Sequence, residues 1–180
     1  MPRKISKPLL FSVVFILLCI AGFLILEDRV SSPQEQVPNP VPVAVQATTT
    51  EYKNTDYGFA VTLPLSWKGF SIVSDTWKAY SPSKSQTGTP DETGALLSVR
   101  NPLWSTTTPR QDIPVMVFTL AQWDLLTQDK IHIGAAPINP SELSRNAKYV
   151  FALPARYNFA YPVGYEEVDT ILQAKPLRGF

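Results

Sequence analysis

The feature that most constrains this 180-residue chain is an uncharged run from Pro8 to Leu26, bracketed by Arg3, Lys4 and Lys7 before it and by Glu27 and Asp28 after it. At about 1.5 Å per residue, the run makes a helix roughly 28 Å long, close to the thickness of a bilayer core. Bases before it and acids after it predict a single span with the N-terminus in the cytoplasm and the rest of the chain exported. A cleaved signal peptide would need small residues soon after the run. Cutting after Cys19-Ile20-Ala21 would leave Gly22 to Leu26 as an apolar start, and Val45-Gln46-Ala47 stands about twenty residues beyond the run. A lipoprotein signal would want a small residue before Cys19, where Leu18 stands. The uncleaved anchor is the reading taken: residues 1–26 form a cytoplasmic basic tip and a transmembrane helix, and the lipid bilayer is a partner of residues 8–26.

Residues 27–50 contain Pro33, Pro38, Pro40 and Pro42 and no glycine. That composition favours extended polyproline geometry and predicts a semi-rigid stalk. Residues 51–180 then form one exported domain of ordinary size. This part carries twelve Lys or Arg and twelve Asp or Glu. A balanced surface is not the basic one that nucleic acid requires, so no nucleic-acid partner is expected. The single cysteine, Cys19, lies in the apolar run. The exported part therefore has neither a disulfide, a thiol nucleophile nor a cysteine metal ligand. No cofactor is expected.

Phe59, Val61 and Leu63 alternate with Ala60 and Thr62, the period of a half-buried strand. Further strands are expected at Phe70 to Val73, Trp77 to Tyr80, Ala95 to Arg100 and Ile113 to Phe118. Val115 and Val117 would face one way, Met116 and Phe118 the other, a strand buried on both faces. Thr119 with Gln122 forms a capping-box pattern before a helix from Leu120 to Lys130, with Trp123 and Leu126 inward. Asn139-Pro140-Ser141-Glu142 predicts a short helix to about Asn146. Lys148 to Leu153 reads as a strand, with Arg156 to Tyr161 pairing back on it. The last helix, from about Gly164 to Ala174, has Tyr165, Val168 and Leu172 as its stripe and acids at its positive end. This order, without β-α-β alternation, predicts α+β with a mainly antiparallel sheet.

Tyr52-Lys53-Asn54-Thr55-Asp56-Tyr57-Gly58-Phe59, continued by Leu63-Pro64-Leu65-Ser66-Trp67, resembles the first hairpin of PsbP-like domains, the Mog1/PsbP fold. The resemblance covers residues 52 to 73. It implies a curved antiparallel sheet with packed helices, and a binding or accessory module of a membrane complex more than an enzyme. The family motif carries no catalytic residues, so none transfers. Within the motif, Gly58 allows a tight turn, Pro64 ends the strand and Trp67 packs under it.

Candidate chemistry is sparse. His132 is the one histidine, the residue type best suited to general acid-base work near neutrality. As a general base it would need an acid such as Asp124 or Asp129 and a nucleophile brought to it by folding. Its neighbours Ile131 and Ile133 would point inward and His132 the other way, as on a sheet edge. A zinc site would have to be completed by carboxylates. The loop Asn101 to Asp112 sets Trp104 between Arg100 and Arg110, an aromatic with bidentate donors, which is binding chemistry. Asp112 pairing with Arg110, or Trp104 folding onto the core, are the structural alternatives. Arg156 leads a second aromatic stretch with Phe159 and Tyr161, where core packing competes with binding. The expectation is a membrane-tethered binding domain recognising a protein or envelope component through Trp104, Arg110 and Arg156. The alternatives are an exported hydrolase using His132, or a structural spacer.

Overall fold

The alternation at Phe59 to Leu63 becomes the central strand of a hairpin. In the computed structural model, which describes residues 48–84, 88–134 and 138–180, β1 (Thr49–Asn54) and β2 (Phe59–Pro64) pair antiparallel from Thr49↔Pro64 to Asn54↔Phe59. Gly58 turns the chain between them at φ 73°, a left-handed conformation that a side chain resists. A 3-10 turn, Leu65–Trp67, follows and drives the fully buried Trp67 inward. The predicted anchor and most of the stalk lie outside the described residues. Among those that are described, no helix is long and apolar enough to cross a membrane.

Six strands make the main sheet, in the order β6-β3-β4-β5-β8-β7, every pair antiparallel. They are β3 (Ser71–Tyr80), β4 (Glu92–Arg100), β5 (Ile113–Thr119), β6 (His132–Ile133), β7 (Ser141–Arg145) and β8 (Tyr149–Leu153). A short β9 (Leu177–Gly179) pairs with β2 and completes a second sheet, β1-β2-β9. β9 also abuts β7, where the Gly179 amide donates to Ser144 Oγ at 3.0 Å. The antiparallel sheet thus curls into a half-barrel, and two helices, α1 (Leu120–Thr127) and α2 (Tyr165–Gln173), pack on it.

One core fills the concave side, with Phe59, Trp67, Val99, Val115, Val117 and Phe151 meeting Val168 and Ile171 of α2. A second lies on the other face, where Trp77, Met116, Phe118, Val150 and Ala152 meet Leu126 of α1. β5 is buried on both faces, as its sequence predicts. Thr119 caps α1 as expected: its Oγ1 accepts from the Gln122 amide at 3.2 Å, and its own amide donates to Gln122 Oε1 at 3.0 Å. The apolar stripe of α2 is centred on Val168 and Ile171, with Tyr165 and Leu172 only half-buried.

Three expectations are corrected. Phe70 to Val73 and Trp77 to Tyr80 are one strand, because exposed Ser74, Asp75 and Thr76 keep their pairing with Leu97, Leu96 and Ala95. Ser141 to Arg145 is a strand instead of a helix. Six residues make a marginal helix alone, whereas here they complete the outer edge of β8. A bulge between Glu142 and Ser144 brings Glu142 to Arg145 in a bidentate pair, a spacing that imitates a helical one. Arg156 to Tyr161 does not pair back. It forms successive tight turns, Phe159 N to Arg156 O and Tyr161 N to Asn158 O, with Arg156 and Tyr161 at positive φ.

Candidate functional site

Strand register gathers three loops at one end of the half-barrel. Ser71 opposes Arg100, Val99 opposes Ile113, and Met116 opposes Ala152. The turn 65–70, the loop 101–112 and the loop 154–164 therefore project together. The last two are joined by the Gln111 amide donating to Val163 O at 2.9 Å, and Ser66 Oγ donates to Glu167 Oε1 at 2.7 Å across to α2.

Within loop 101–112 the Arg100 guanidinium stacks on the Trp104 ring, 4.0 Å from its centroid, and Arg100 Nε donates to Asp112 Oδ2 at 3.1 Å. Asp112 Oδ1 accepts from the Asn101 amide at 3.3 Å. The partner of Asp112 is thus Arg100, where Arg110 was the structural alternative. Trp104 is half-buried against its own loop. Arg110 packs beside Gly164, and its Nε is buried without a hydrogen-bond partner among the described residues. Arg156 is exposed at the left-handed turn that opens the other loop. Trp104, Arg110 and Arg156 therefore share one end of the fold, yet of the three only Arg156 is exposed.

The conspicuous surface was not foreseen. Phe159 is 73% exposed, Tyr161 69%, Leu103 66% and Val163 56%, so Phe159 and Tyr161 do not serve as core. With Leu65, this end holds five of the eight large hydrophobic side chains exposed among the described residues, which makes it an apolar face. Period-two spacing at 159, 161 and 163 imitates a buried strand, and nothing local in the sequence separates the two cases. The turn geometry at 156–161 does, because it leaves no partner strand to cover these side chains.

Beneath this face Tyr157 turns inward and its hydroxyl donates to Asp169 Oδ1 of α2. Burial, and then the adjacent Asp169 carboxylate, push the phenol well above its ordinary range. Glu166, beside Tyr165, raises that phenol too.

His132 lies at the opposite end, paired with Tyr80. Ten residues of β3 at about 3.3 Å each put it roughly 30 Å from the loop cluster. Among the described residues neither Asp124 nor Asp129 hydrogen-bonds its ring, and no group of three His, Cys, Asp or Glu side chains converges as a metal site. A polar groove of about 540 Å³ runs between β1 and the β3-β4 pair, lined by Tyr52, Asn54, Asp56, Ser74 and Asp75. No family model, no curated protein and no solved structure matches the chain.

Proposed function

We propose that this protein is a membrane-tethered, extracytoplasmic accessory module that binds a component of the envelope through the loop end of its domain. Residues 8–26 serve as the single-pass anchor and the stalk as the tether; the stalk, expected over 27–50, stops short of Thr49, where β1 begins. The observation that carries the reading is the exposed set Leu103, Phe159, Tyr161 and Val163, set beside Arg156 and the Arg100-Trp104 stack. Aromatic and arginine side chains around an exposed apolar centre are the usual composition of recognition surfaces. The resemblance of residues 52 to 73 to PsbP-like domains points the same way, toward an accessory role in a membrane assembly. Of the three contacts named from sequence, Arg156 is disposed to touch a partner directly. Trp104 and Arg110 would act by holding the loops that present the apolar side chains.

The test is photocrosslinking in intact cells, with a benzophenone amino acid at Phe159 and, separately, at His132. An envelope adduct specific to position 159 is expected. Adducts at position 132 alone would favour the enzyme reading, and none at position 159 would remove the binding face.

A further inference from the structure

We infer that the component met by this face is the interfacial zone of the bilayer itself, with residues 103 and 159–163 resting on the membrane from which the chain emerges. This rests on the anchor reading of residues 8–26. Thr48 O accepts from the Leu65 amide at 3.2 Å, and Thr49 opposes Pro64, so the tether attaches at the same end as the exposed apolar side chains. At about 3.1 Å per residue in polyproline geometry, residues 27–47 would span roughly 65 Å, which keeps the face near the bilayer at high effective concentration, where a weak contact suffices.

Phe159 and Tyr161 stand on loop tips, flanked by Leu103 and Val163, and Arg156 is exposed beside them. The amphipathic ring of Tyr161 beside the apolar Phe159, Leu103 and Val163, with a cation that can reach headgroups, matches the membrane-water interface. Arg100 and Asp112 form an ion pair, and Lys68, Arg110 and Arg156 are matched in number by Glu166, Glu167 and Asp169 of α2. A face so balanced gains little from anionic lipid. Its contact is with neutral, zwitterionic lipid and is insensitive to salt.

The test uses the full chain with Cys19→Ser, reconstituted in phosphatidylcholine vesicles and carrying a nitroxide at Ala160→Cys or, as a control at the opposite end, at Thr55→Cys. The ratio of oxygen to nickel-chelate relaxation reads immersion in lipid. A ratio several-fold higher at position 160 than at 55 is expected, equal at low and high salt and abolished by Phe159→Ser with Tyr161→Ser and Val163→Ser. Equal, water-like ratios at both positions would overturn the inference. So would immersion that needs anionic lipid and disappears in high salt. A water-like label at 160 together with a protein adduct at 159 in cells keeps the binding face and overturns only its lipid partner. A chain that does not stay with the vesicles overturns the anchor reading as well.

Discussion

Replacing Gly94 by alanine should destabilise the domain, and the size of the effect follows from one ring. A Cβ at position 94 would lie 2.5 Å from Trp77 Cζ2, 2.6 Å from Cε2 and 2.7 Å from Nε1. Ordinary carbon contacts begin near 3.5 Å, so the indole must retreat by about 1 Å. It is held from two sides, since Nε1 donates to Val117 O at 2.9 Å and the ring stacks on Phe118 with centroids 4.4 Å apart. Loss of that hydrogen bond costs about 1 kcal/mol, and the strain of overpacking adds roughly 1–3 kcal/mol. Removing a strand glycine returns about 0.5–1 kcal/mol. The net expectation is a loss of roughly 1–3.5 kcal/mol, or about 3–17 °C in Tm for a domain of this size. Thermal denaturation of the full-length chain, followed by circular dichroism, measures it. In a Trp77→Leu background the same substitution should cost at least about 1 kcal/mol less, because the obstructing ring is gone. A variant that melts with or above the wild type, or an equal cost in both backgrounds, would refute the reasoning.

Thr119→Ala removes the side-chain acceptor of the α1 cap and should cost about 1 kcal/mol in urea unfolding, against almost nothing for substitution of the exposed Thr127. Asp112→Asn keeps an acceptor for the Asn101 amide but discharges the partner of Arg100. Trypsin should then cut faster after Arg100 and after Arg110 while circular dichroism stays native, and an unchanged cleavage rate at both bonds would count against the Asp112 anchor. Tyr157→Phe deletes the hydrogen bond to Asp169 and should lower Tm at neutral pH. The folded-state pKa of this phenol is raised, so its contribution is full below the unfolded value of about 10 and is lost as pH rises beyond it. The gap in Tm between wild type and Tyr157→Phe should accordingly stay constant from neutral pH upward and narrow above that value. His132→Ala should shift stability by less than about 0.5 kcal/mol, as for a half-buried edge residue without special contacts.

Local signals in the sequence announced those parts of the fold whose structure is locally determined. The capping box at Thr119, the turn at Gly58 and the alternation in Ile113 to Phe118 each carry their own explanation, and each appears where expected. What was not legible depends on distant partners. Ser141 to Arg145 has a helix-opening sequence, but the unpaired edge of β8 decides its fate. Asp112 stands two residues from Arg110 and twelve from Arg100, and it pairs with the latter because both sit at facing strand ends. The apolar face was hidden for the same reason. Phe159 and Tyr161 have the spacing of core residues until the absence of a strand opposite them is known, and their nearness to Leu103 depends on the register of three strands, β4, β5 and β8.

The two-faced burial of β5 has a consequence for how the domain comes apart. Val115 and Val117 belong to one cluster, Met116 and Phe118 to the other, and β8 is divided in the same way, Phe151 inward and Val150 and Ala152 outward. The two clusters share a wall one backbone thick. Neither can melt while the other stays ordered, since freeing β5 for one frees it for both. Unfolding should then be a single cooperative event despite two separate cores, and the amides of Val115 to Phe118 should exchange with solvent only through global opening.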